Sequence, residues 1–245
     1  MKPKNPKENK SKYKLICFDL DGTIIDETIF IWQTIHDSLG TDKVRRKKYA
    51  QDFVDKKITY KQWAEHDLIL WKEAGATKAK IMKAIEPLKL MPGALDTLNE
   101  LKKLKDRNKD TNNGNKKIGS EKRGLKLAII SGSLNIALEK VLPNYREYFD
   151  DVYINHLIFD GEKVARIKST SFDFENKADA LKEIAKRENL KLEECVFVGD
   201  HDNDIQVAEI AGLSIAFNCK SERLAQVADV VIEKKDLRKI LKYIM

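Results

Sequence analysis

The stretch that decides the fold is KLICFDLDGTIID, residues 14–26, in which a short apolar run is followed at once by two aspartates. A continuous apolar run of this length is typical of a strand that is buried on both faces, as in parallel sheets. Side chains two residues apart on an extended chain point to the same side, so we expect Asp19 and Asp21 to lie close together where the strand ends. Neighbouring carboxylates repel each other, which indicates that something requires both at this position.

Five further short apolar runs alternate with helical patterns along the 245 residues. The apolar runs lie at 126–131, 151–154, 194–199, 214–217 and 229–232, and helical periodicity is found at 93–104, 135–142, 178–190 and 236–244. Repetition of strand, helix and strand predicts an α/β fold, a Rossmann-like doubly wound parallel sheet with helices on both faces.

Residues 28–90 interrupt this alternation, because they contain several helical stretches in succession and no convincing strand. One of these helices is expected to begin at the capping box TYKQ (59–62) and to end at Gly75. We interpret the segment as a small helical cap domain inserted after the first strand. The α/β core then comprises residues 14–27 and 91–245.

Three other segments have a distinct composition. Residues 1–13 are predicted to form a basic flexible tail, and residues 105–124, which are rich in Asn, Lys and Gly, a loop insertion in the core. The stretch 157–167 predicts a hairpin in which Asp160 and Gly161 supply the positive φ angles of a tight turn.

The net charge of +7 is unevenly distributed. Residues 1–14 carry +5 and residues 102–126 carry +7, which leaves −5 on the remainder. An excess of positive charge that is confined to a tail and an insertion is typical of solvated segments rather than of a groove that binds nucleic acid. We therefore do not expect a nucleic-acid partner, although RNA contact stays open and salt-sensitive binding would reveal it.

No apolar stretch approaches the roughly 20 residues that a membrane helix needs, and the N-terminus lacks the apolar region of a secretory signal. We therefore expect no membrane partner and a cytoplasmic location. The three cysteines form no CxxC pair and lie in or beside apolar segments. They are expected to be free thiols that behave as small buried hydrophobes in a reducing compartment.

Polar residues follow the apolar runs at the points where ligands bind to open α/β sheets, the carboxyl ends of the strands. They are found in DLDGT (19–23), SGS (131–133) and GDHDND (199–204), and Lys177 begins the helix that precedes the last of these. With Lys177 in NKADAL, the four motifs resemble in type and order those of the haloacid dehalogenase superfamily of aspartate-dependent phosphatases. The chain is most similar to the phosphoserine phosphatase-like branch, which carries a helical cap between the first two motifs.

The resemblance implies a Mg²⁺-dependent hydrolase that acts on a small phosphorylated metabolite through an aspartyl-phosphate. A carboxylate that attacks a phosphoryl group must approach another anion, so a cation is needed, and Mg²⁺ prefers oxygen ligands. The side chains of Asp19 and Asp200 are natural ligands, and the family adds the backbone carbonyl of Asp21. By the same resemblance, Asp19 is the nucleophile, and Asp21 is general acid toward the leaving oxygen and then base toward water.

The phosphate oxygens are expected to bind Ser131, the backbone N–H of Gly132 at a helix start, and Lys177, which would also neutralise charge on Asp19. Further support for the site is expected from Thr23, Asn203 and Asp204. For Asp204 both metal binding and bracing of Lys177 stay open, and we favour bracing.

These residue patterns are also compatible with other structures. DLDGT alone is compatible with a turn, and Ser133 with a helix N-cap. The acids of DHDND alternate as in an EF-hand loop, but from Asp200 the sixth residue is Ile205 where Gly is required and the twelfth is Ala211 where Glu is required. His201 is expected to point to solvent.

The cap is expected to determine the substrate. Glu27 matches in rough position an acid that phosphoserine phosphatases use for the substrate ammonium. Those enzymes hold the substrate carboxylate with a cap arginine, whereas residues 62–70 contain acids and no arginine. Since an acid would repel a carboxylate, we expect a phosphomonoester other than phosphoserine. Three tryptophans of the cap are expected in the core rather than in the pocket: Trp32, Trp63 and Trp71.

Two other kinds of function remain open at this point. A phosphotransferase or phosphomutase would use the same site residues, and a non-catalytic phosphate- or RNA-binding protein could keep the same fold.

Overall fold

The computed structural model describes residues 12–110, 124–170, 172 and 176–245. The strands are β1 Leu15–Phe18, β2 Ile25–Asp26, β3 Lys89–Leu90, β4 Lys126–Leu134, β5 Asp151–Asp160, β6 Lys163–Lys168, β7 Cys195–Gly199, β8 Leu213–Phe217 and β9 Val230–Ile232. The α-helices are α1 Ile31–Leu39, α2 Lys43–Val54, α3 Tyr60–Glu73, α4 Lys78–Ala84, α5 Ala94–Asp110, α6 Asn135–Val141, α7 Lys177–Arg187, α8 Ile205–Ile210, α9 Glu222–Val227 and α10 Leu241–Ile244.

Seven strands form the main sheet in the order β6-β5-β4-β1-β7-β8-β9. Strands β5, β4, β1, β7, β8 and β9 each run parallel to their neighbours in this order. The edge strand β6 is antiparallel to β5. Alternate residues of β1 pack into two separate hydrophobic clusters: Ile16 and Phe18 into one, Leu15 and Cys17 into the other. Burial on both faces explains the continuous apolar run, and the predicted α/β fold is confirmed.

Four helices, α1 to α4, lie between β2 and β3. These two-residue strands pair antiparallel, so the chain enters and leaves the helical segment at adjacent points. The predicted capping box is present, since Thr59 Oγ1 accepts from Gln62 N–H and the Gln62 side chain accepts from Thr59 N–H. The expectation of no strand within 28–90 is wrong, because β3 lies there. The division into a core and a cap stays a prediction.

Helix α5 corrects the predicted loop insertion at 105–124. The helix continues to Asp110, and the Lys105 ammonium anchors it to Asp150 at 2.7 Å. Lys and Arg, which alternate with less favourable residues at 105–110, have a high helix propensity, so the helix can continue even though no apolar period marks it. Residues 111–123 lie outside the described residues, as do residues 1–11 of the predicted tail. Tyr13 packs against the core, so the tail does not extend that far.

The hairpin predicted at 157–167 is confirmed as β5 and β6. Asp160 pairs with Lys163 as the last residue of β5, and only Gly161 of the predicted turn pair has a positive φ angle, 56°. The three cysteines are free thiols, two of them buried. In the part of the chain that the structure describes, every helix is too short or too polar to cross a membrane.

Candidate active site

The candidate active site lies at the carboxyl ends of three adjacent strands, β4, β1 and β7. Asp19 follows β1, Ser131 lies near the end of β4 and Asp200 follows β7, and all three side chains are buried. They line one cavity of about 580 Å³ together with Asp21 and Gly132. The parallel arrangement of these strands brings together residues that are more than 100 positions apart in the chain.

Lys177 is the first residue of α7, as predicted, and only 1% of its surface is exposed. Its ammonium lies 2.9 Å from Asp19 Oδ1 and 2.7 Å from Asp204 Oδ1. Burial acts to lower the pKa of Lys177, but the two carboxylates outweigh this effect and raise the pKa above its ordinary value. Lys177 is therefore a fixed positive charge beside Asp19.

Asp204 holds this lysine and the following loop in place. Its Oδ1 accepts from Lys177, while its Oδ2 accepts from the backbone N–H groups of Asp200 at 2.9 Å and His201 at 3.2 Å. Both carboxylate oxygens already have partners, which favours bracing over metal coordination for this residue.

Asp21 receives hydrogen bonds at both carboxylate oxygens. Ser133 Oγ donates to Oδ1 at 2.7 Å, and the backbone N–H of Ile31, at the start of α1, donates to Oδ2 at 2.8 Å. Burial raises the pKa of Asp21 to about 7, although the two hydrogen bonds act in the opposite direction. A carboxyl group with this pKa can both give and take a proton near neutral pH.

Ser133 is a residue of the site that sequence reasoning did not assign to it, and the alternative interpretation of Ser133 as a helix N-cap does not hold. The structure has Leu134 as the N-cap of α6, without a side-chain hydrogen bond. Strand β4 continues to Leu134, so the expectation that Gly132 stands at a helix start is also wrong. The signal was present, since Ser131 and Ser133 are two residues apart on a strand, as Asp19 and Asp21 are on an extended chain.

The carboxylates of this site fit a hard divalent cation. Asp200 Oδ2 is buried and has no hydrogen-bond partner among the described residues, and Asp19, Asp200 and Asp204 each offer an oxygen within 4.8 Å of the others. Burial and the neighbouring carboxylates raise the pKa of Asp200 well above its ordinary value. A side chain at Gly22 would place its Cβ 2.2 Å from Asp200 Oδ2, so only glycine leaves room for this carboxylate.

The carbonyl of Gly132 is fixed by two side chains that sequence reasoning did not assign to the site. Trp32 Nε1 donates to it at 2.9 Å and Asn155 Nδ2 at 2.8 Å. Asn155 is fully buried on β5, and its Nδ2 also donates to the hydroxyl of Tyr60 on α3 at 2.8 Å. The available signal for Asn155 was its position directly after the apolar run DVYI, at 151–154, where polar site residues follow other strands of the sheet. The expected core position of Trp32 is correct, since the ring is buried.

Of the remaining residues for which the sequence predicted a position, some line the cavity and others do not. Asn203 lines the cavity, and so does His201, which we expected to point to solvent. The buried Thr23 hydroxyl has no hydrogen-bond partner among the described residues. Glu27 is not among the residues that line the cavity, and its carboxylate pairs instead with Lys89 at 3.0 Å.

The helical segment forms the other wall of the cavity. Its lining residues are Ile29, Phe30, Gln33, His36, Asp37, Thr41, Lys43, Arg46, Lys47, Ala50 and Trp63. Trp63, expected in the core, thus also contacts the cavity. Asp67, one of the acids thought to repel a carboxylate, is buried with its Oδ1 3.2 Å from His36 Nε2. Three positive residues of α2 line this wall, Lys43, Arg46 and Lys47, whereas residues 62–70 contain no arginine.

Comparison with known proteins identifies the family. A family model described as haloacid dehalogenase-like hydrolase matches residues 13–212. The chain belongs to this family. A haloacid dehalogenase-like relative from Methanocaldococcus jannaschii, named phosphoserine phosphatase, is 33% identical over 237 residues, which are 96% of this chain and 99% of the relative.

Solved structures of this haloacid dehalogenase-like branch resemble the chain over nearly its whole length. One, titled a phospho-aspartyl intermediate analogue of phosphoserine phosphatase, has a TM-score of 0.67 at 32% identity and covers 96% of this chain and 100% of its own. A second, a substrate-bound phosphoserine phosphatase complex, has the same TM-score at 30% identity, with 95% and 99% covered.

These similarities confirm the predicted superfamily, its phosphoserine phosphatase-like branch and a hydrolase of the phosphatase class. They give no support to the expectation that phosphoserine is not the substrate.

Proposed function

We propose that the chain hydrolyses phosphomonoesters through a phosphoryl intermediate on Asp19, with a divalent cation such as Mg²⁺. The observation that carries this proposal is the position of Asp19, whose carboxylate pairs with a buried Lys177 and shares one cavity with Ser131, Asp21 and Asp200. A purely phosphate-binding protein has no need of an anion at the point where phosphate would bind.

Asp19 is the nucleophile of this proposal. An oxygen of its carboxylate forms a bond to phosphorus while the ester P–O bond breaks, and Asp21 gives its proton to the leaving oxygen. Water then attacks phosphorus, Asp21 takes a proton from that water, and the bond between Asp19 and phosphorus breaks to release inorganic phosphate. The pKa of Asp21, about 7, suits both proton transfers.

Two groups of this chain would bind the phosphoryl oxygens: the Ser131 hydroxyl and the Lys177 ammonium. Carboxylate oxygens of Asp19 and Asp200 would hold the cation, together with the carbonyl of Asp21. Bound there, the cation would offset the repulsion between Asp19 and the phosphoryl group and stabilise charge in the transition state.

The substrate belongs to the class of small phosphorylated metabolites. Relatives named phosphoserine phosphatase and the position of Asp67 away from the cavity make phosphoserine one of the first compounds to test. Phosphoryl transfer to an acceptor, mutase activity and binding without turnover remain alternatives that product analysis separates from hydrolysis. A cytoplasmic location stays a prediction.

The test is phosphate release from a generic aryl phosphate, with Mg²⁺ and with a chelator in excess. We expect activity only with the metal, and a loss of at least about a thousandfold in Asp19→Asn. Asp160→Asn, the same change at the exposed end of β5, is the matched control and should behave as wild type. Activity that survives in Asp19→Asn would reject the nucleophile.

A further inference from the structure

We infer that the substrate carries a hydroxyl group on its carbon part, and that the side-chain oxygen of Thr41 accepts a hydrogen bond from it. Thr41 lies just after helix α1 and lines the same cavity as Asp19 and Ser131. The inference rests on the proposed function and specifies the class of phosphomonoester that it acts on. His36 and Asp67 are positioning residues in this inference, since they orient the Thr41 hydroxyl.

His36 connects Thr41 to Asp67 in a row of three buried side chains. Its Nδ1 lies 2.6 Å from Thr41 Oγ1, and its Nε2 lies 3.2 Å from Asp67 Oδ1. The three residues come from α1, from the loop that follows it and from α3, and none is more than 6% exposed. The His36 ring packs against Trp71, with 5.4 Å between the ring centroids, so both nitrogens are held toward their partners.

Asp67 determines which ring nitrogen of His36 carries a hydrogen. A nitrogen lone pair 3.2 Å from a carboxylate oxygen would be repelled, so Nε2 carries the hydrogen. Burial lowers the pKa of His36, although Asp67 and Asp37 act to raise it, and Arg46 adds to the lowering. The ring is therefore neutral near neutral pH, and its Nδ1 is an acceptor.

Thr41 then donates its hydroxyl hydrogen to His36 Nδ1, because a contact of 2.6 Å between two acceptors requires a hydrogen from one of them. What Thr41 Oγ1 can offer to a molecule in the cavity is only its capacity to accept. The group that meets it must carry a hydrogen, which excludes an ionised carboxylate or an ionised phosphate oxygen at this point. Hydroxyl and ammonium groups both satisfy this condition.

The charge of the same wall favours the hydroxyl over the ammonium group. Three cations of α2 line the cavity: Lys43, Arg46 and Lys47. Asp37 lines it with them, and Asp37 and Asp67 offset part of the charge of Arg46. An ammonium group would be repelled by the positive charge that remains. A hydroxyl group is neutral, and it can donate to one neighbour while it accepts from another.

The position of Thr41 also determines where the hydroxyl lies on the substrate. The phosphoryl group of the proposed reaction binds on the sheet side of the cavity, whereas Thr41 lies on the helical side. The cavity, about 580 Å³, lies within the range of sites that enclose a whole small molecule. A chain of carbon atoms therefore separates the hydroxyl from the phosphate ester.

The test compares simple esters that differ in one terminal group. Ethyl, propyl and butyl phosphate are each paired with the ester that bears a terminal hydroxyl and with the ester that bears a terminal ammonium. The ratio of kcat/KM within a pair gives the preference for the terminal group. A pair that is not hydrolysed is compared through the inhibition constants of its members against aryl phosphate turnover, so every pair yields a ratio.

We expect wild type to prefer the hydroxyl ester over the plain alkyl ester by about fivefold or more at one chain length at least, and to prefer it over the ammonium ester. Thr41→Val keeps the shape of the side chain without its oxygen and should reduce the ratio to about one, chiefly through KM. Thr41→Ser should keep most of the ratio. Thr34→Val is the matched control, since Thr34 lies on α1 and does not line the cavity, and it should keep the wild-type ratio.

Nitrogen NMR of the wild-type protein tests the positioning roles without a variant at the site. The chemical shifts of the imidazole nitrogens show which of them carries the hydrogen, and the signals of His36 are those that disappear in His36→Gln. We expect the hydrogen on Nε2. Asp67→Asn should lower both this preference and the hydroxyl ratio, because an amide can turn either its oxygen or its NH₂ group toward the ring.

Five results would overturn the inference: no preference for the hydroxyl at any chain length, a stronger preference for the ammonium, a ratio that survives in Thr41→Val, an equal loss in Thr34→Val, or a hydrogen on His36 Nδ1 instead of Nε2. Failure of the proposed function has a different signature, since aryl phosphate turnover would then be absent or independent of Asp19.

Discussion

Ser133 Oγ donates a hydrogen bond of 2.7 Å to Asp21 Oδ1, and this contact joins the end of β4 to the segment after β1. It holds the carboxyl group that we propose as proton donor and acceptor. The hydroxyl orients Asp21 without itself contacting the phosphoryl group in the proposed reaction.

Replacement of Ser133 by alanine should therefore lower kcat for aryl phosphate by about tenfold, because Asp21 loses one of its two orienting hydrogen bonds. The control is Ser214→Ala, which removes a hydrogen bond of 3.0 Å to Asp229 on the far part of the sheet. Steady-state kinetics should show a loss for Ser133→Ala only. Equal kcat values for the two variants would contradict an orienting role.

Asp204→Asn should destabilise the fold as well as impair turnover. The change leaves buried Lys177 with one carboxylate partner, and an amide cannot accept at both of the oxygen positions that Asp204 uses. Removal of one partner from a buried ion pair costs about 3–5 kcal/mol in unfolding free energy. Chemical denaturation measures this loss.

The matched comparison for that variant is Asp179→Asn, which breaks an exposed pair with Lys182 on the same helix, α7. Exposed pairs contribute little, so this variant should unfold near the wild-type midpoint. Similar losses in the two variants would show that Asp204 is not a buried anchor.

Trp32→Phe should lower kcat/KM for aryl phosphate by about fivefold, because the carbonyl of Gly132 loses the indole N–H as a donor. Trp71→Phe is the control, since Trp71 is fully buried but its Nε1 has no hydrogen-bond partner among the described residues. Both variants should lose stability through lost packing. A drop in activity of the same size in both would mean that packing, and not the hydrogen bond, sets the Gly132 position.

The buried His36 predicts a pH dependence of stability. Burial lowers the pKa of His36 below its ordinary 6.5, although Asp67 and Asp37 act to raise it, and Arg46 adds to the lowering. The His36 imidazole therefore binds a proton more tightly in the unfolded chain than in the folded protein. This contribution to stability is complete above pH 6.5 and is lost as pH falls through the pKa of the folded state.

As the pH is lowered from above to below 6.5, the denaturation midpoint of wild type should therefore fall more steeply than that of His36→Gln. His156→Gln, the same change on β5, should keep the wild-type slope. Identical slopes for wild type and His36→Gln would contradict the prediction.

The strand ends could be predicted from sequence because parallel topology leaves little choice about where they meet. Once the apolar runs are recognised as adjacent strands, Asp19, Ser131 and Asp200 must converge at one edge of the sheet. Lys177 could be placed only by its order among the motifs, and the structure puts its ammonium beside Asp19.

The helical wall could not be predicted in the same way. The orientation of a short helix depends on its packing, and α2 has no buried residue, so no apolar period marks which face is turned inward. The cavity-lining residues Lys43, Arg46 and Lys47 of α2 were therefore not predicted, and no residue pattern indicated that Asp67 pairs with His36.

The two walls of the cavity differ in how firmly they are built into the molecule. Strand β1 lies at the centre of the sheet with every residue buried, so its amide protons should exchange only when the whole protein unfolds. Helix α2, without a buried residue, can accept new side chains at small cost to folding. Evolution of a new substrate preference would then require few compensating changes elsewhere, while the chemistry on the sheet side stays the same.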